Sequence, residues 1–326
     1  MPSNLLITGG AGYIGSHVVF GALDAGNKVT VVDDLSTGHR ACLPSDVHFV
    51  EGDVGDKAFI DEVLRQVEPT TVLHFAGSII VPESIANPIK YYANNTSASL
   101  TLIEACVQSG SVSEFIFSST AAIYGMPAGG VATEGTEANP INPYGRSKWM
   151  TEQILSDTYK AYGLNYAVLR YFNVAGADPQ KRTGQFSPDA THLIKKACQA
   201  ALGTNPNMRI FGTDYDTPDG TCVRDFIHVS DLADAHLKVI DLLRRSGHPH
   251  TLNCGNGAGY SVRQVIAAVE AEVGHTIPVV EAGRREGDPP KLIADASKLQ
   301  SLTRWRPKFT DLASIVRSAL EWEERL

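Results

Sequence analysis

Three observations predict an α/β fold: a Rossmann-type, doubly wound parallel sheet with a smaller mixed C-terminal substrate domain. Short β-type runs alternate with helix-like stretches through the first half of the chain. A glycine-rich turn follows the first run directly, and an acidic pair about 20 residues on closes the second. After Phe172 the rhythm breaks into Gly-, Pro- and Asp-rich connections at 176–189 and 212–220, the kind of loop that carries binding groups on a rigid scaffold.

In order, the expected strands are 5–8, 28–33, 48–51, 71–75, 114–118 and 165–170. Helix-like stretches lie between them at 14–25, 56–67, 94–108 and 144–162, which is the order of a doubly wound sheet. Residues 226–240 again read strand then helix and are expected to return to the main sheet. The remainder, up to Leu326, reads as a small mixed domain closing over it.

The 326 residues suffice for one large α/β domain and a smaller second one. A hydrophobic share of 43% with 20% charge describes an ordinary buried core. The formal charge of −8 disfavours nucleic acid and anionic membrane as partners. An anionic substrate would need a local basic site against that field. The five cysteines, Cys42, Cys106, Cys198, Cys222 and Cys254, are far apart and form no C-x-x-C pair. Reduced thiols are expected, with no disulfide framework and no metal site. The first apolar run begins after four residues, and no apolar stretch approaches the roughly 18 residues of a membrane helix. A cytoplasmic location is the expectation.

The first strand runs into Gly9-Gly10-Ala11-Gly12-Tyr13-Ile14-Gly15, a spacing one residue wider at the front than G-x-G-x-x-G. Glycine lets the chain turn sharply and approach a pyrophosphate, which the following helix N-terminus receives with N–H groups and a positive dipole end. Asp33-Asp34, at the end of the second strand, can accept from both ribose hydroxyls of an adenosine. A carboxylate there repels a 2′-phosphate, so NAD is favoured over NADP. Asp53 and Val54, after the third strand, are a weaker adenine-side candidate; Asp53 could equally cap the next helix.

Tyr144 and Lys148 stand at i and i+4 in a helical stretch, hence on one face. A tyrosine hydroxyl titrates near 10 in water, too high for a base at neutral pH, and a nearby ammonium favours its phenolate. Ser118-Ser119-Thr120 ends the fifth strand, where open α/β sheets bind ligands, and can offer a hydroxyl to a reacting oxygen. The bland alternatives are a surface amphipathic pair and a polar strand end.

The segments 8–17, 75–77, 118–125, 144–148, 169–173, 223–231 and 284–288 together resemble the UDP-glucose 4-epimerase family of extended short-chain dehydrogenase/reductases, in that family's order and over nearly the whole chain. The Arg224-Asp225-Phe226-Ile227-His228 and Arg284-Arg285-Glu286-Gly287-Asp288 segments are the narrow part of this likeness. It implies a retained NAD, a UDP-sugar substrate and a homodimer. Residues 1–172 plus about 225–253 would bind NAD, and about 173–224 and 254–326 the UDP-sugar. Tyr144 would be the base, Lys148 its activator and Thr120 the hydroxyl partner. Cofactor contacts would come from Gly9, Gly12, Tyr13, Ile14, Gly15, Asp33, Asp34, Asp53 and Val54. Further ones would come from Phe75, Ala76, Gly77, Asn94, Ser118 and Tyr171, besides Tyr144 and Lys148. Asn173 would bind the UDP-sugar together with Thr120 and Tyr144, Arg224 and Arg285 its diphosphate, Asp288 the uridine ribose, and Leu292 would line the sugar pocket.

The chain departs from the family's pattern in three places. Ser78-Ile79-Ile80 stands where the family often has Lys, Pro188-Asp189-Ala190 replaces Asn-Asn-Leu, and Phe226 lacks the hydroxyl common there. A rival 4,6-dehydratase needs an acid and a base after the hydroxyl residue, and Ala121-Ala122 cannot move protons. Epimerases of N-acetylhexosamine, glucuronate or xylose nucleotides remain as alternatives, as does a non-catalytic NAD sensor on the same fold.

Overall fold

The computed structural model describes residues 3–187, 190–285 and 287–326. Along the first half run β1 (Asn4–Thr8), α1 (Tyr13–Asp24), β2 (Lys28–Asp33), β3 (His48–Glu51), α2 (Lys57–Val67) and β4 (Thr71–His74). Then come α3 (Val81–Ala86), α4 (Pro88–Tyr91), a π-helical turn (Tyr92–Ser97), α5 (Ala98–Ser109), β5 (Glu114–Thr120), β6 (Val131–Ala132), α6 (Pro143–Tyr162) and β7 (Asn165–Tyr171). The second half supplies β8 (Asn173–Ala175), α7 (Leu193–Ala201), β9 (Met208–Phe211), β10 (Val223–His228), α8 (Val229–Ser246) and β11 (His250–Cys254). It closes with β12 (Gly259–Ser261), α9 (Val262–Val273), β13 (Val279–Ala282), β14 (Lys291–Ala294), α10 (Ser297–Thr303) and α11 (Leu312–Glu323).

Seven strands form one sheet in the order β11-β7-β5-β4-β1-β2-β3, every pair parallel. Both faces are covered, which is why β1 is apolar without alternation. Leu5 and Ile7 pack against α1 and α8, while Leu6 faces α2 and α5. The strand order reverses at β1, which has β2 on one side and β4 on the other. The loops leaving β1 and β4 therefore part, and a crevice opens at the carboxyl ends of the strands.

All six expected strands are present within two residues at either end. The helix expected over 94–108 is instead a π-helical turn followed by α5. There the Asn95 carbonyl accepts hydrogen bonds from Ser99 and Thr151 hydroxyls, and the wide turn makes room for them.

One expectation needs correcting. The strand read at 226–240 does not return to the main sheet; β10 belongs to a second sheet, β12-β10-β14-β6, with β8 alongside. The returning strand is β11, beside β7. Its sequence His-Thr-Leu-Asn-Cys carries little β signal, and Asn253 is buried there only because hydrogen bonds satisfy it. A third, two-stranded sheet pairs β9 with β13.

The five cysteines are free and buried. Among the described residues no helix is long and apolar enough to cross a membrane, and no cluster of His, Cys, Asp or Glu could hold a metal.

Candidate active site

The glycine turn sits where β1, β4 and α1 meet. A Cβ on Gly9 would stand 2.4 Å from the Ala76 nitrogen, and one on Gly15 would stand 2.3 Å from the Gly9 carbonyl oxygen, so neither position admits a side chain. Phe75 and Ala76 thus form the wall of this turn. Gly12 caps α1 without a side-chain hydrogen bond, and no acidic residue stands in the first turn. That N-terminus keeps free N–H groups and its positive dipole end.

The buried Asp33 carboxylate accepts from Ala11 N and Leu35 N, both at 2.9 Å. It therefore braces the glycine turn, and each oxygen keeps a lone pair to offer. Asp34 is exposed and holds the Ser36 N–H and hydroxyl. Asp53 accepts from Gly55 N at 2.7 Å, while Val54 is buried beneath it. The capping alternative for Asp53 is not what the chain does, because Asp56 caps α2.

Tyr13 spends its hydroxyl on the Gly176 carbonyl at 2.6 Å and packs edge-on against His17, while Ile14 packs on the core. Asn94 donates to the Ser78 hydroxyl at 2.8 Å, in the segment where the family's Lys is missing.

These features fit NAD: a backbone cradle, an uncapped helix N-terminus and an acidic strand end. The residues able to hold it are the Gly9–Gly15 turn, Asp33, Phe75 to Gly77 and Lys148.

The reacting centre forms where α6 lies across the ends of β5 and β7. Asn142 caps α6 by accepting from Gly145 N, and Pro143 opens its first turn. Tyr144 and Lys148 are buried on the helix face toward the sheet. The Thr120 hydroxyl stands close enough to Tyr144 to lower its pKa, and it accepts from Ala122 N at 3.1 Å to start the next turn. Lys148 Nζ donates to the Ser118 carbonyl at 3.2 Å and lies 4.9 Å over the Phe117 ring. Ser118 in turn is hydrogen-bonded to Tyr171 at 2.8 Å.

Electrostatics here differ from the simple expectation. Burial raises Tyr144 above its ordinary value, and only the Thr120 hydrogen bond pulls it back. The Lys148 charge bears on the buried His74, which desolvation first and Lys148 second push down to about 3. Burial also lowers Lys148 itself, to about 8. In this chain on its own, Tyr144 is held protonated. Any lowering must come from positive charge brought into the crevice.

Arg224, Arg285 and Asp288 come together beside β10 and β14. The Asp288 carboxylate lies 3.6 Å from Arg224 and 3.5 Å from Arg285, and Arg285 stacks 4.2 Å over Phe211. Arg224 is buried more deeply than Arg285. Leu292 faces Arg224 across β10 and β14 and packs with Ala121, Tyr124 and Phe172, directly beyond Thr120. Asn173 is exposed at the start of β8, opposite Phe226. Glu286, and Pro188 and Asp189, lie outside the described residues.

The residues missed in the sequence are those beneath the site. Glu152 follows Tyr144 and Lys148 at the same four-residue interval, a signal that was there to read, and it clamps Arg170.

A parallel doubly wound sheet with a glycine cradle, an acidic strand end and a Thr–Tyr–Lys constellation defines a nicotinamide-dinucleotide enzyme of the extended short-chain type. Comparison with known proteins narrows the class. The pattern of the NAD dependent epimerase/dehydratase family matches residues 5–255. The chain is 54% identical to a UDP-glucose 4-epimerase of Azospirillum brasilense, covering 99% of this chain and 92% of the relative. It superposes on the UDP-glucose 4-epimerase of Brucella ovis in complex with NAD, with TM-score 0.94, 41% identity and 98% of each chain covered. A UDP-Glc/GlcNAc 4-epimerase from Campylobacter jejuni gives TM-score 0.86 at 45% identity, with 99% of each chain covered. The chain belongs to the NAD dependent epimerase/dehydratase family.

Proposed function

We propose that this chain is an isomerase that interconverts UDP-galactose and UDP-glucose by inverting C4 through a 4-keto sugar. The observation that carries the reading is the buried cluster of Thr120, Tyr144 and Lys148, with the proton-inert Ala121 and Ala122 next in line. Retained NAD supplies a hydride acceptor that becomes the donor within the same cycle. Tyr144 takes the proton of the 4-hydroxyl and later returns one, and Thr120 orients the reacting oxygen. Arg224 and Arg285 grip the diphosphate, which the Arg fork suits. Asp288 takes the uridine ribose and Asn173 the sugar side. With the diphosphate anchored and the sugar held loosely, the flat keto sugar can turn and present its other face.

Relatives named as UDP-glucose 4-epimerases over nearly the full length support the substrate class. The main sheet is the natural NAD unit and the second sheet, with its Arg224 and Asp288 cluster, the UDP-sugar unit. Exposed Ile89, Leu100 and Met150 on neighbouring helices α4, α5 and α6 support a homodimer, and the chain's composition supports a cytoplasmic one. A panel of UDP-sugars assayed without added NAD is the direct test. UDP-galactose and UDP-glucose should interconvert with no net NADH; stoichiometric NADH, or turnover of other UDP-sugars alone, overturns the proposal.

A further inference from the structure

Directly beneath the reacting centre runs a buried polar chain. Glu152, the residue one turn beyond Lys148 on α6, accepts from Ser119 at 2.6 Å and from Arg170 at 2.5 Å. Arg170 donates onward to the Tyr124 hydroxyl at 3.1 Å, with its guanidinium over the Tyr124 ring. Tyr124 donates to Asn253 at 2.6 Å, and Asn253 donates to the Ala132 carbonyl at 2.9 Å. Ala132 is paired with Ala294 of β14, the strand that bears Leu292.

Two features set this chain apart from ordinary core packing. A buried ion pair is weak evidence of stabilisation, because desolvation offsets much of the attraction and well-packed apolar replacements are often neutral or better. Its placement is also systematic. Ser119 lies between Ser118 and Thr120, Arg170 precedes Tyr171, Glu152 shares the α6 face of Tyr144 and Lys148, and Tyr124 ends the turn that Thr120 starts. The bidentate Arg170–Glu152 fork fixes the roll of α6 against β5 and β7, a constraint that point contacts between apolar side chains leave loose.

Resting on the 4-epimerase reading above, we propose that Glu152, Arg170 and Ser119 form a positioning frame that holds Thr120 and Tyr144 within hydrogen-bonding geometry, and that Tyr124 and Asn253 extend it to the strand carrying the sugar pocket. None of the five is a catalytic residue. The first half of the frame governs the chemical step, and the second governs how the sugar is held.

The test uses the NAD-loaded full chain. Glu152→Gln with Arg170→Met removes both charges together, so no unpaired buried ion is left behind. Tyr124→Phe cuts the link to Asn253 and leaves the ion pair whole. In the double variant kcat should fall about 10- to 100-fold with KM little changed, as expected when reacting groups shift by around an ångström. Tyr124→Phe should raise KM for UDP-galactose and leave kcat near the parent value. Tyrosinate absorbance of Tyr144, taken as a difference from Tyr144→Phe, gives a readout independent of turnover. It should titrate higher in the double variant, because the Thr120 hydrogen bond that lowers it is loosened. Parent-like titration and parent-like kcat in the folded double variant overturn the frame. If the double variant does not fold, a Tyr124→Phe enzyme with parent-like KM overturns it. A parent enzyme that turns over no UDP-sugar refutes the 4-epimerase reading instead, and the Tyr144 titration then decides the frame alone.

Discussion

At the scale of single residues, Tyr144 and Lys148 carry the sharpest expectations. Tyr144→Phe keeps the ring and its packing, so NAD should still copurify while the base is lost. General-base catalysis contributes about 100- to 10,000-fold, so a loss well under tenfold would remove Tyr144 from that role. Lys148 is depressed to about 8 by burial, so its ammonium form is present below that pH and discharges as pH rises through it. If the charge is needed, the rate should fall on the alkaline side near pH 8, and Lys148→Met should abolish that limb while slowing the reaction. A limb that survives unchanged in the variant separates Lys148 from the chemistry. These two positions were legible in the sequence because i, i+4 spacing on a helix fixes a shared face. The protonation balance was not, since the burial that raises Tyr144 is known only from the tertiary surroundings.

At the scale of elements, the proposed role of β14 is to line the sugar pocket through Leu292. Leu292 is buried against Ala121, Tyr124 and Phe172, immediately beside the strand end that bears Thr120. If Leu292 is the gate, its medium bulk should favour the UDP-glucose and UDP-galactose pair, with N-acetylated sugars turned over weakly. Leu292→Tyr should suppress the N-acetyl reaction by steric overlap and spare the parent one. Leu292→Ala should do the reverse, and emptying a buried leucine site should lower stability by about 2–5 kcal/mol. Equal changes in both activities would show that Leu292 is no gate. The glycine turn was legible as an element because its spacing and its place after the first strand are local. β11 was not, because it carries Asn253, whose buried side chain is satisfied by partners more than a hundred positions away.

At the scale of the whole molecule, Asp225 ties the second sheet to the loop after β11. Its carboxylate is fully buried and accepts from Asn256, Gly257 and Ala294 N–H groups at 2.9, 2.9 and 3.1 Å. Burial raises it from 3.8 to about 6, the three hydrogen bonds pulling the other way. A carboxyl raised in the folded state stabilises the fold fully below its unfolded value and loses that contribution as pH rises through the folded one. The expected loss between about pH 4 and 6 is of order 3 kcal/mol. Asp225→Asn cannot ionise, so its melting temperature relative to the parent should climb from pH 4 to 6.5 and then level. A relative melting temperature that instead falls from pH 4 to 6.5 would reverse the assignment.

The sequence by itself determined the parallel sheet, the glycine cradle, the acidic strand end and the Tyr–Lys pair. Each rests on short-range rules: short apolar runs between helix-like stretches, i, i+4 geometry, and the conformations only glycine allows. Only the tertiary structure decided that β10 joins a second sheet and β11 the first. It alone brought Arg224, Arg285 and Asp288 together and set Leu292 against the turn after Thr120. It also laid the Glu152–Arg170 pair under the site. Such contacts join residues far apart in the chain, and their free energy comes from shared burial, which no local window of sequence contains.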